Sequence, residues 1–124
     1  MRSVDATLLV RSLAGGEGGM AAEAFIRAEG PVWISHIVLV EAMRTLELLH
    51  GRSRAQMAQA LAMLLDNRDL VLEDPAVPLA ALEGYRSGLD FEDAMALESA
   101  RKAGHLPLGT LREALRGIPG TEIP

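Results

Sequence analysis

The stretch Val32-Trp33-Ile34-Ser35-His36-Ile37-Val38-Leu39-Val40-Glu41 decides the fold class. It opens as a short apolar strand over residues 32–35, released from an upstream helix by Gly30-Pro31, a glycine stop followed by a proline. It then passes without a loop into a helix expected over residues 36–50, apolar on nearly every side and so predicted to be largely buried. The same alternation extends outward. Upstream lie a strand at 2–6, a helical segment through Leu13, the glycine loop 15–19 and a helix at 20–29. Downstream, Ser53 and Gln56 stand in capping-box spacing at the head of a helix over 53–67. The apolar face of that helix is Met57, Leu61, Leu64 and Leu65. A strand at 70–73 follows, then a helix opened by Asp74-Pro75 and stopped by Gly88, and a helix over 90–103 stopped by Gly104. A weak strand at 106–109 contains Pro107, residues 111–115 make a helical turn or two, and the tail 117–124 is extended. Short strands alternating with helices predict one α/β domain over 1–124 with a mostly parallel sheet, whose ligands gather at the carboxyl ends of the strands.

Composition narrows the function classes. With 124 residues and no Cys, the chain has room for one core and excludes disulfides, thiolate metal sites and Cys nucleophiles. That fits a reducing cytoplasm. No run approaches the roughly 18 apolar residues of a membrane span, and an acid at Asp5 interrupts any signal-peptide core. The expectation is a cytoplasmic protein without a membrane partner. Net charge is −5, so there is no overall basic footprint for nucleic acid, although an enzyme that gathers carboxylates around metal is acidic when metal-free.

Three acids carry the functional signal. Asp5 ends the first strand, Glu41 follows the run Ile37-Val38-Leu39-Val40, and Asp93 shares a helix face with Ala96, Leu97 and Ala100. These are expected to be buried positions, and a buried carboxylate costs free energy unless paired. The structural account is that Asp5 caps the next helix, Glu41 pairs with Arg44 at i,i+3, and Asp90 and Asp93 serve a helix start. The functional account is a hard divalent cation, held by oxygens from separate elements, that lowers the pKa of a nucleophilic water and neutralises a departing oxyanion.

The residues resemble a known family at three places. Val4-Asp5-Ala6-Thr7-Leu8-Leu9-Val10 resembles the opening motif of PIN-domain ribonucleases, a strand ending in Asp followed by a small residue and a hydroxyl. Trp33 to Glu41 resembles the strand and helix that carry the family's second acid, and Asp90-Phe91-Glu92-Asp93-Ala94 is similar to its Asp-Phe-x-Asp-Ala pattern. The likeness follows the family's order over nearly the whole chain and is nearest to the short VapC-type toxins of toxin–antitoxin pairs.

The resemblance implies an α/β, PIN-like three-layer domain with a short, mostly parallel sheet flanked by helices. It implies an Mg²⁺- or Mn²⁺-dependent endoribonuclease acting on tRNA, rRNA or mRNA, silenced by a cognate antitoxin protein and homodimeric. Asp5, Glu41 and Asp93 would be metal ligands and catalytic residues, with Thr7, Ser35, Asp90, Thr110 and Arg112 around them. The chain departs from the pattern where the family's fourth acid stands: Thr110-Leu111-Arg112 puts an arginine there, and Glu113 is one residue off. Arg112 either contacts a phosphate or neutralises the acids with a salt bridge. If it does the latter, the alternative is a catalytically degenerate PIN-like module that binds protein or RNA.

Other motifs carry less. Gly16-Glu17-Gly18-Gly19-Met20-Ala21 matches a dinucleotide pattern formally, but a helical segment separates it from the first strand. His36, His50 and His105 lack a metal-ligand spacing, and the latter two read as helix-end histidines. Trp33 and Tyr85 read as core, Met57 and Met63 as either core or partner surface.

Overall fold

The computed structural model describes residues 1–124, which fall into two compact units, 1–75 and 76–124. The first holds three parallel strands, β1 (Arg2–Ser3), β2 (Val32–Ile34) and β3 (Leu70–Leu72), in the spatial order β1-β2-β3. Arg2 is paired with Val32, and Val32, Trp33 and Ile34 are paired with Leu70, Val71 and Leu72. Four helices accompany them: α1 (Ala6–Ala14), α2 (Gly19–Ala28), α3 (His36–Leu49) and α4 (Arg54–Leu65). The central strand buries Val32 and Ile34 completely, and its neighbours supply Val4 and Leu72 to the same core. Leu9, Leu39, Leu46, Met57 and Leu61 are buried from the helices.

Local chemistry sets most boundaries. Ser35 begins α3 and Ser53 begins α4, where Ser53 and Gln56 close the reciprocal capping box expected from their spacing. The first strand is shorter than predicted because Asp5 already caps α1. The larger correction concerns α3. Only one stripe of it is buried, Leu39, Ala42, Met43 and Leu46 at i, i+3, i+4 and i+7, while Ile37, Leu48 and Leu49 are at least 70% exposed. Its apolar residues exceed what one packing stripe can cover. Trp33, expected in the core, points from the sheet face opposite Val32 and Ile34 and is 38% exposed, as alternation along a strand dictates. Met57 is core and Met63 is surface.

The second unit is built on α5 (Ala76–Arg86) packed against α6 (Phe91–Ala103). Tyr85 is buried and meets Phe91 edge to face, with ring centroids 6.2 Å apart. Gly84 lets the helices approach, since a Cβ there would stand 3.3 Å from Ala94 Cβ. Gly104 ends α6 in the left-handed conformation, φ 80°, and hands its N–H back to Ala100 and Arg101. The weak strand is two residues, β4 (Leu108–Gly109), and pairs in parallel with β5 (Thr121–Glu122) from the tail, forming a separate two-stranded sheet. Pro107 and Gly109 suit such an edge pairing and not a central strand. No helix is long and apolar enough to cross a membrane.

Candidate functional site

In residues 1–75 the strands run parallel, so their carboxyl ends share one edge, and each is followed by a side-chain oxygen. Asp5 follows β1, and its Oδ1 accepts from Leu8 N at 2.9 Å as the N-cap of α1. Ser35 follows β2, and its Oγ accepts from Val38 N at 3.1 Å as the N-cap of α3. Glu73 follows β3, and its Oε1 accepts from His36 N at 3.0 Å. A cap and a carboxylate thus satisfy two orphan donors at the start of α3. Glu73 is an acid the sequence reading passed over. Its signal was its place, directly after the third parallel strand, equivalent to that of Asp5.

α1 packs against α3, and a cleft of about 370 Å³ lies along the two helices. Thr7 and Glu41 both line it, so the structure brings these two predicted site residues together. Arg11 and Thr45 line it too, one helical turn beyond each, as does His50 at the end of α3. These three were missed. The i,i+4 spacing from Thr7 and from Glu41 would have found two of them, whereas His50 read only as a helix end. Glu41 does not pair with Arg44, and neither its carboxylate nor the Arg11 guanidinium makes an ion pair. Asp5 and Glu41 are exposed, contrary to the expectation of burial. Asp5 sits past the end of a strand at a helix mouth, and Glu41 lies off the buried stripe of α3.

Residues 76–124 bring together a second group. Asp90 is the N-cap of α6, its Oδ1 accepting from Glu92 N at 3.2 Å. Asp93, one turn in, is the one buried charged residue, 7% exposed. Thr110 Oγ1 accepts from Arg112 N at 3.0 Å, a local turn that orients the arginine. Arg112 Nε donates to Asp93 Oδ2 at 2.8 Å, and Nη2 stands 3.5 Å from Asp90 Oδ2. All four residues predicted in this part of the chain form one network, in which Arg112 makes ion pairs with Asp93 and Asp90. Glu113, one residue on from Arg112, is engaged by Arg116 Nε at 2.6 Å.

A family model described as the PIN domain matches residues 3–106. The chain belongs to the PIN-domain family. PIN domains are a family of nucleases that generally use divalent metals. The match covers Asp5, Glu41 and Asp93 and ends before Thr110 and Arg112, so the arginine of the network lies outside it. No curated protein and no solved structure matches the chain.

The donor chemistry of this PIN domain fits a hard cation, because its acids and hydroxyls offer oxygen only and the chain has no Cys. Within neither unit do three His, Asp or Glu side chains group closely enough to make a ligand set. Mg²⁺ tolerates this better than other metals, since it commonly takes one or two carboxylates and keeps waters and phosphates as its other ligands.

Proposed function

We propose that this PIN domain is a metal-dependent endoribonuclease, the toxin of a toxin–antitoxin pair. The observation that carries the reading is the cleft that joins the Glu41 carboxylate and the Thr7 hydroxyl to Arg11 and His50, with no ion pair spent on Glu41 or Arg11. A carboxylate suits a cation, and an unpaired guanidinium suits a phosphate. In a chain of net charge −5, local cations of this kind are what hold a polyanion. The family match takes in residues of both units.

Asp5 and Glu41 in the first unit and Asp93 in the second are each proposed as ligands of Mg²⁺ or Mn²⁺, a cation that would supply positive charge to acidify the attacking water and to balance the leaving oxyanion. Thr7 orients water by its hydroxyl, and Arg11 and His50 fix the strand phosphate. Ser35 serves by capping α3 and setting the angle from which Glu41 projects. The RNA class is tRNA, rRNA or mRNA. The apolar residues that α3 and α4 leave exposed, Ile37, Leu49 and Met63 among them, support a second copy and an antitoxin as partners in the cytoplasm.

Cleavage of a labelled RNA by purified protein tests the reading. Activity should require Mg²⁺ or Mn²⁺ and be lost in Asp5→Asn and Glu41→Gln. Metal-independent cleavage, or cleavage unchanged in both variants, would refute it. One observation favours the second reading, a degenerate binding module: Arg112 already engages Asp93. Retained RNA binding with no metal binding and no cleavage would select it.

A further inference from the structure

We propose that Glu73 is a positioning residue for the cleft between α1 and α3: it fixes the direction in which α3 leaves the sheet and so sets where Glu41 and Thr45 stand against α1. This rests on the reading of the cleft as the place where RNA is cut, and every residue it uses lies within 1–75. β2 passes into α3 with Ser35 as the only residue between Ile34 and His36. The Ser35 cap serves Val38 N and leaves other donors of the first turn to be met from elsewhere. Glu73 grips the junction on both sides. Its backbone N–H donates to Ile34 O at 2.9 Å, one step past the last registered pair of the two strands, Ile34 with Leu72. Its side-chain Oε1 accepts from His36 N at 3.0 Å. One residue, 37 positions on from His36, holds the last residue of β2 and the first of α3 at once.

The acceptor is a carboxylate, so the bond is charge-assisted and meets the positive end of the α3 dipole. Its origin matters as much. Ser35 belongs to the helix start that it caps and moves with it, whereas Glu73 follows β3 and refers α3 to the sheet. The effect grows along the helix. Glu41 stands about 7.5 Å along the axis from His36 and Thr45 about 13.5 Å, so a tilt of about 5° at the junction displaces Thr45 by about 1 Å. Misplacement of that size costs rate and not fold. Glu73 is exposed, so truncating it opens no cavity. It acts through Glu41 and Thr45 without lining the cleft.

The test is steady-state cleavage of a labelled RNA by the full chain, with exchange of the His36 amide followed by NMR, at a temperature where circular dichroism shows the variants folded. Glu73→Ala should open the His36 amide to exchange and lower kcat about tenfold with KM little changed. Glu73→Gln keeps an oxygen at the same reach and should recover most of that rate, with the amide protected. Wild-type kcat in a folded Glu73→Ala makes the contact a stabilising cap alone and overturns the proposal. A Glu73→Gln as slow as Glu73→Ala shows that charge and not position is required, and overturns it too. If Glu73→Ala does not fold, Glu73→Asp, with its shorter reach, takes its place: a fall in kcat supports the proposal and a wild-type rate ends it. A His36 amide equally protected in the wild type and Glu73→Ala removes the contact and this proposal alone. Absence of cleavage by the wild type removes the reading of the cleft, and this proposal with it.

Discussion

Arg112 and Asp93 are nineteen residues apart and form a single Nε–Oδ2 contact of 2.8 Å, with the carboxylate buried and the guanidinium half in water. This asymmetry sets the energetics. Removing the arginine strands a buried acceptor, whereas solvent screens much of what the pair gains. After discounting for that screening, Arg112→Ala should cost about 1 kcal/mol in urea unfolding. A double-mutant cycle with Asp93→Asn should recover most of that as coupling. Additive effects of the two substitutions would show that the contact contributes nothing to stability.

The cap role of Asp5 and its proposed role as a metal ligand can be separated by substitution. As N-cap of α1 it accepts from Leu8 N, and Asn performs that task nearly as well as Asp. Asp5→Asn should hold stability within about 0.5 kcal/mol, as far as the cap goes, while abolishing metal-dependent cleavage. Asp5→Ala should lose the same activity and a further ~1 kcal/mol of stability. Full activity in Asp5→Asn would leave the residue as a cap alone.

The cleft wall predicts salt dependence. If Arg11 holds a phosphate, Arg11→Gln should weaken binding of a single-stranded RNA oligonucleotide and lower the slope of log affinity against log salt by about 1. His50→Gln should weaken binding as well, with α3 intact by circular dichroism. An unchanged slope in Arg11→Gln would remove the residue from the RNA path.

Two leucine-class positions on neighbouring helices should respond in opposite ways. Leu61 in α4 is completely buried, so Leu61→Ala should cost about 3 kcal/mol through lost contacts and a cavity. Ile37 in α3 is 80% exposed, so Ile37→Gln should change monomer stability by less than about 0.5 kcal/mol. If α3 is a partner surface, the same variant should shift the sedimentation of the protein toward the monomer.

The elements that the sequence by itself determined are those held by bonds within one helical turn. Ser35, Ser53 and Asp90 each cap the helix predicted to follow them, and Gly104 ends α6 where a left-handed residue was needed. Asp5 stands at the junction of a strand and a helix, Glu41 in the helix that follows the second strand, and Asp93 in the first turn of a helix that follows another helix, all places that local sequence marks. Tertiary structure decided what depends on partners distant in the chain. It gave β4 to the tail strand β5 and buried one stripe of α3. It placed Arg11 and His50 in one cleft with Glu41, and brought the half-exposed Arg112 onto Asp93. Capping and periodicity are local and leave their mark in neighbouring residues. Pairing across nineteen residues depends on how much surface remains to be covered once the helices have packed, and no short stretch of chain records that.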